Sequence, residues 1–554
     1  MSRISRRRLL AAAGVSGTAL AGGAAVFLSR RDALAPGPAG EQPTPPVAGA
    51  TPPPSPTPLP RGGTVALATT AGFDFDTFDA LRSGEPSVVE LLGRVHARLL
   101  QWADPASASL GADLAAAWEQ PDDTTIVLRL AAARWHDRAP LHGRRVTASD
   151  VRHHLDRGLA IARAGAGPVA QRTAPLRDIA RIEDPDPATV RIVLARPAPL
   201  LLAALAGEYA LVQAAETTER PAASDPLDLS LLVGCGPWTF EAFRDDGVSL
   251  RAHADGHRPP LLDGLLVAAP FAPFERYQAG VLDEFPTFDP REAAAARTLP
   301  GVQEHPMLQR EIVLSTFVTS APPWSDARLV EALSAALNRG WLADALFAGR
   351  ARPSGPLPPV FGAALPDAEL ASAPGYAPDP DADARDARER WQAAAGPTLG
   401  PITIDFPSIF DPRYAASAVV IDRLNAVLGP QFRPAVETYT TIARRVHEGF
   451  YGNGRAATWL GWGPPLPSPD PREALLDLYG GTFAARERER LLAATPEAHE
   501  AARELQRAIL ADGFRGCLPW TQQVIEVFRR PGTFGPEPSP FWDGQRDVQR
   551  HRAG

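Results

Sequence analysis

The residue types that most often carry catalysis are sparse in this chain and unfavourably spaced. Cys235 and Cys517 are the only cysteines in 554 residues. That excludes a disulfide-rich miniature fold and a cysteine-rich zinc site. Trp135-His136-Asp137 looks catalytic by residue type. His136 and His142 frame a metal only if folding brings them together. His153 and His154 are adjacent, so they do not share one side of a helix. No G-x-S-x-G elbow, H-E-x-x-H pair or Walker A loop occurs, which removes the common signatures of serine hydrolases, zinc proteases and nucleotide-binding loops. Carboxylates are plentiful, and no pair stands apart as acid and base. The expectation is a protein that is not an enzyme, with no cofactor and no metal.

The bulk properties narrow the class. Apolar residues make up 45% of the chain, enough for cores in two or more domains. The net charge is −8, and an acidic balance argues against a nucleic-acid partner. All 56 basic residues are arginine. Ser5-Arg6-Arg7-Arg8-Leu9-Leu10 resembles the twin-arginine export motif, with Arg6 and Arg7 as its core. Leu9 to Leu28 carries no charge and is about 30 Å long as a helix, enough to span a bilayer. Ala33-Leu34-Ala35 has the form of a processing site, but Pro36 follows it and disfavours cleavage. Residues 1–35 are therefore a twin-arginine signal peptide or an uncleaved anchor. No cysteine follows, so a lipoprotein anchor is excluded. Residues 36–60 form a proline-rich linker, roughly 75 Å long if fully polyproline II. The expected address is extracytoplasmic, in the periplasm or on the outer face of the cytoplasmic membrane. That compartment is oxidising, so Cys235 and Cys517 are expected to pair.

The body must position whatever site exists. Arg61 to Leu67 reads as a turn into a strand. Val88, Leu91, Leu92, Val95 and Leu99 share a helical face over Ser87–Leu100. Thr124–Leu130 reads as a strand, and Thr147 or Ser149 can cap a helix starting near Asp150. Gly234-Cys235-Gly236 suits a tight bend with positive φ. Val330, Leu333, Ala336 and Leu337 line a helix capped by Ser325 or Asp326. Pro401–Phe406 reads as a strand, Ala415–Leu428 and Glu504–Leu510 as helices, and Leu518-Pro519-Trp520 as a late strand. Strands alternate with helices, which predicts α/β lobes.

Several of these segments, in this order, resemble the family 5 extracytoplasmic solute-binding proteins of ABC importers. That group includes oligopeptide-, dipeptide- and nickel-binding proteins. The text from Asp113 to Val151 carries the likeness most clearly. It continues through Ile182–Leu194, Val233-Gly234-Cys235-Gly236-Pro237-Trp238, Leu262-Asp263-Gly264-Leu265, Tyr277–Asp283, Ile312–Leu333, Gly355–Pro359 and Thr458–Gly463. The resemblance implies an α/β, two-lobed periplasmic-binding-protein-like fold, with an extra domain in the larger lobe and a ligand cleft between lobes. It places lobe 1 with the extra domain at 61–266, lobe 2 at 267–485, and the return to lobe 1 at 486–554. It also implies a structural strand end for Trp135-His136-Asp137.

The implied partners are a small-molecule or peptide ligand and ABC permease subunits, with the twin-arginine machinery for export and a monomeric body. Trp462, flanked by Gly461 and Gly463, is the leading ligand contact, because an aromatic offers large area at small entropy cost. Ser83, Gly84 and Glu85 align with a segment that contacts ligand in peptide binders, and Thr319 and Trp324 stand near another. Where peptide binders place an aspartate for the ligand's ammonium, this chain has Pro465; Asp470 reaches the site only if the loop is redirected. A secreted hydrolase and a non-transport sensor or scaffold on the same fold are the alternatives.

Overall fold

The computed structural model describes residues 59–552, apart from 70–74, 84, 105–106, 166–168, 170–171, 209, 220–224, 270, 449, 453–455, 464, 467, 494–496 and 542–546. The export motif at Arg6 and Arg7, the linker up to residue 58, and Gly84 lie outside the described residues. Among the described residues, no helix is long and apolar enough to cross a membrane.

The chain enters through β1 (Thr64–Ala68) and α1 (Pro86–Val95). Pro86 sits at the first helical position, where a missing N–H costs nothing. The helix ends at Val95, short of the expected Leu100. His96 adopts an extended conformation there, and its buried ring is held by the carbonyls of Val212 and Leu231 at 3.2 and 2.9 Å. An inserted domain follows: β2 (Ala115–Asp122), β3 (Thr125–Leu130), α2 (Ala148–Ala164), β4 (Ile179–Asp186) and β5 (Thr189–Leu194). Its antiparallel sheet has the order β2-β3-β5-β4. The N–H of Thr147 donates to Asp150 at 2.8 Å to open α2, and Gly165, at φ 63°, ends it. Leu128, Val151, Leu155 and Ile192 pack in its core.

The further elements that position the site include β6 (Trp238–Arg244), β7 (Gly247–Ala252), β8 (Gly264–Ala268), β9 (Glu284–Thr287), β10 (Gln303–Leu308), β11 (Val313–Thr316), α3 (Ala327–Ala336), β12 (Ala351–Pro353), β13 (Ile402–Pro407), α4 (Ala416–Leu428), β14 (Phe432–Glu437), β15 (Ala456–Trp459), β16 (Gly461–Trp462), α5 (Pro471–Tyr479), α6 (Glu497–Ala511) and β17 (Cys517–Arg529). A mixed sheet runs β16-β11-β17-β9-β1-β8-β7-β6, with β10 and β12 also paired to β17. β13 is the middle of a separate parallel sheet, β14-β13-β15.

β17 is the organising element. Its last residues pair with β9 and β10, and its first residues pair with β11. Two stretches therefore cross side by side between the β1-centred part and the β13-centred part: 309–312, between β10 and β11, and the middle of β17. The expected boundary at 267 falls inside β8, and β8 and β9 both flank β1. α6, beyond the expected return at 486, packs with α5 through Leu505, Ile509 and Leu475.

Two expectations are corrected. The paired cysteines are free thiols. Cys235 is buried in the core of the inserted domain and Cys517 in the cluster around α5 and α6, so separate cores hold them apart. Gly234 and Gly236 do not have positive φ. They are glycine for want of space: a Cβ on Gly234 would stand 2.0 Å from the Val95 carbonyl oxygen, and one on Gly236 2.7 Å from that of His96.

Candidate functional site: an aromatic row beside the crossing strands

β16 holds Trp462 opposite Val313 of β11, and Val313 also stands opposite Thr521 of β17. Register partners point to one face of a sheet, so Trp462, Val313 and Thr521 form a row across three strands. Close approach makes the row possible. A Cβ on Gly461 would lie 2.5 Å from Pro407 Cγ, and one on Gly463 2.5 Å from Leu314 Cδ2. The Trp462 ring meets Phe410 and Tyr414 edge-on, with centroids 5.1 and 5.7 Å away. Tyr414 donates its hydroxyl to Gln523 Oε1 at 3.0 Å. The Arg413 guanidinium lies 5.9 Å from the Trp462 centroid and 5.1 Å from that of Phe288. Phe288 directly follows β9, so this contact joins the two parts of the molecule. Trp462 is half-buried. Its Nε1, and the hydroxyl of fully buried Thr521, find no hydrogen-bond partner among the described residues. The half-exposed aromatic faces can hold a guest by contact area.

The chain leaves Trp462 through a proline-rich stretch that forms a second, polar wall. Gly463 donates to the Ile312 carbonyl at 2.8 Å, and Leu466 to that of Arg310 at 3.2 Å. Arg310 returns a bond from Nε to the Leu466 carbonyl at 2.6 Å and is ion-paired with Glu208. Arg172 donates to the Pro465 carbonyl at 3.1 Å. Asp470 then caps α5, accepting from the Arg472 N–H at 2.9 Å. Glu473 and Asp477 follow one turn apart, on one helix face. Burial pushes the Glu473 carboxyl up to about 7; the Asp470 charge adds to this, while a Ser468 hydrogen bond, Arg172 and Arg472 oppose it. Burial also raises Asp477, against the pull of Arg172. Asp477 nevertheless keeps contact with solvent.

A family model described as bacterial extracellular solute-binding proteins, family 5, matches residues 109–477, about two thirds of the chain. The chain belongs to that family. A protein of Brucella ovis named for ABC-transporter peptide binding is 29% identical over 254 residues, 44% of this chain and 45% of the relative. The di/tripeptide-binding protein 2 of Pseudomonas aeruginosa is 31% identical over 199 residues, 34% of this chain and 37% of the relative. The chain thus matches less than half the length of these curated relatives. Among solved structures, the Helicobacter pylori periplasmic binding protein DppA in complex with a peptide aligns with 89% of this chain and 98% of its own, at TM-score 0.69 and 17% identity. HbpA2 from Haemophilus parasuis aligns at TM-score 0.70 and 16% identity, over 89% and 100% of the two chains. These likenesses confirm the α/β, two-lobed fold.

Within this family 5 protein, the expected site residues separate. Trp462, Gly461 and Gly463 form the aromatic row. Ser83 is fully buried in a turn: its hydroxyl donates to Asp76 at 2.7 Å and accepts the Glu85 N–H at 3.1 Å. Glu85 is the half-buried residue before α1. Trp324 packs in the core around α3 against Phe317, with ring centroids 5.2 Å apart, and so turns away from any cleft. Thr319 is half-buried beside Gly516. Asp470 is buried, capping α5 and pairing with Arg472 at 2.6 Å, which leaves it committed within the chain. His136 is buried with both ring nitrogens bonded to backbone, Gly234 N–H at 3.2 Å and the Gly236 carbonyl at 3.1 Å, a structural pattern.

Sequence reasoning passed over Arg172, Glu208, Arg310, Tyr414, Thr521 and Gln523, which come from segments far apart in the chain. It also passed over Glu473 and Asp477. Their four-residue spacing just after a capping Asp470 was a readable signal of two carboxylates on one helix face.

Proposed function

We propose that this protein is the extracytoplasmic substrate-binding component of an ABC importer, which captures a peptide-like or other small solute and delivers it to a membrane permease. The observation that carries the reading is the Trp462–Val313–Thr521 row, set beside the two stretches that join the halves of the molecule. We place the lobe division at 309–312 and in the middle of β17. The Arg413–Phe288 contact and the Arg172–Pro465 bond are the sort of bridges a closing cleft makes. Peptide binding in the named relatives supports the ligand class.

The mechanism needs no covalent step. Ligand held by groups on both lobes favours the closed form by its differential affinity for that form, and the population shifts accordingly. The permease then reads closure. Arg6-Arg7 supports delivery by the twin-arginine machinery, and the apolar run with Pro36 supports retention at the outer face of the membrane. A monomeric body suits a two-lobed receptor.

The test is thermal-shift and tryptophan-fluorescence screening of di-, tri- and oligopeptides, sugars and metal chelates against the purified protein. A true ligand raises the melting temperature, since it binds the native state alone. Mass spectrometry should recover that ligand unchanged. Consumption of the ligand would overturn the reading.

A further inference from the structure

The proline-rich stretch after Trp462 has an unusual hydrogen-bonding character. Pro464, Pro465, Pro467, Pro469 and Pro471 lack backbone N–H groups. The stretch therefore presents carbonyl acceptors with few donors beside them. Two guanidinium groups converge on consecutive carbonyls: Arg172 on Pro465 at 3.1 Å and Arg310 on Leu466 at 2.6 Å. Arg172 belongs to the inserted domain, between α2 and β4. Arg310 lies in the crossing stretch itself and is also ion-paired with Glu208, which follows the short helix Leu201–Leu205 packed in the inserted domain's core. Both bonds thus tie the inserted domain, directly or through one residue, to the stretch that carries the aromatic row. The charge of Arg172 also reaches Glu473 and Asp477 on α5.

We infer that Arg172, with the Glu208–Arg310 pair, forms a built-in latch that holds the lobes together before any solute arrives. The latch does not contact the solute; it sets the population of the closed form that the solute meets. A receptor latched in this way binds with less conformational cost, since the competent form is already populated. Arg172 is a positioning residue, and its effect is distinct from that of Trp462.

The experiment needs no ligand. Small-angle scattering of the unliganded full chain is compared for wild type, Arg172→Lys, Arg172→Ala and Arg172→Glu, with Glu208→Gln as a second site. The radius of gyration should rise in the order wild type, Lys, Ala, Glu. The glutamate opens the cleft most because a carboxylate cannot donate to the Pro465 carbonyl and is repelled by it. Glu208→Gln should open it by less than Arg172→Glu. Melting temperatures near wild type show that the variants fold. Equal radii across the folded Arg172 series, or a wild type already as extended as Arg172→Glu, would overturn the latch. A melting-temperature drop that tracks the radius across the series would make Arg172 a stability residue and overturn it too. Failure to find a solute would leave this result untouched, so the two readings fail separately.

Discussion

Two segments share the pattern Gly-x-Gly, and the structure uses them in opposite ways. Gly234-Cys235-Gly236 is sealed between the end of α1 and the inserted domain. Cys235 is fully buried, and burial pushes its thiol up to about 12. His136 and His253 both bind the Gly236 carbonyl, at 3.1 Å each. Gly461-Trp462-Gly463 lies at the end of a sheet, with its aromatic half-exposed and its indole N–H unspent. The atoms that crowd the glycines also differ. Backbone crowds Gly234 and Gly236; side chains crowd Gly461 and Gly463. Identical spacing therefore yields a seam crowded by backbone in one place and a half-exposed aromatic crowded by side chains in the other.

The largest test of this contrast is steric. Gly234→Ala meets a backbone carbonyl that cannot move aside, and should cost about 3 kcal/mol; Gly461→Ala meets the Pro407 ring and should cost about 1 kcal/mol. Urea unfolding of the two variants measures both. A larger loss at Gly461 would erase the distinction.

The next test separates packing from recognition. Trp462→Phe keeps the edge-on contacts and removes a buried, unpartnered donor. Stability should hold within about 0.5 kcal/mol, while affinity for the solute found in screening falls about fivefold to tenfold. Unchanged affinity would make Trp462 a packing residue like Trp324.

Titration should also divide the two regions. Burial lowers His96 to about 4 and His136 to about 3, from 6.5. A folded value below the unfolded one means the unfolded chain takes up protons first. This contribution is complete above about pH 6.5 and is lost as pH falls toward 4 and 3. Glu473 behaves in the opposite sense. Its folded value is raised from 4.5 to about 7, so its contribution is complete below 4.5 and is lost as pH rises through 7. Glu473→Gln should flatten the decline in stability between about pH 5 and about pH 8 and leave the acid limb in place. An unaltered decline would sink the assignment of that limb to α5.

The smallest effect concerns the thiols. Cys235 and Cys517, both buried with raised thiols, should resist a thiol reagent in the native protein. Two thiols should react once the chain is unfolded without reductant. Fewer than two would restore the disulfide.

Much of the fold was legible because local chemistry and burial agree. The β-branched run after the Asp122-Asp123 turn forms β3, and the Thr147–Asp150 pair opens α2. The apolar stripe Val330, Leu333, Ala336, Leu337 is buried in the core that includes β13. α1 stopped early because its last turn is overridden by tertiary bonds to His96 and by Gly236 N–H reaching the Val95 carbonyl at 2.9 Å, which no periodicity records. Of the expected site, Trp462 and its glycines came together with partners, whereas Trp324 and Asp470 went to core and cap. An aromatic near a family motif and an aspartate before a helix read alike whether they face a cleft or the interior.

The amino-acid sequence by itself determined the family, the alternation of strand and helix, and the absence of charge at Pro465, because each depends on residue order and type within short segments. Only the tertiary structure decided that β17 spans both halves, that the cysteines lie in different cores, and that Arg172, Arg310 and Glu208 meet at one proline-rich stretch. Those outcomes depend on which distant backbones pair and which cavities close, and pairing energy is shared over hundreds of residues rather than written in any one window.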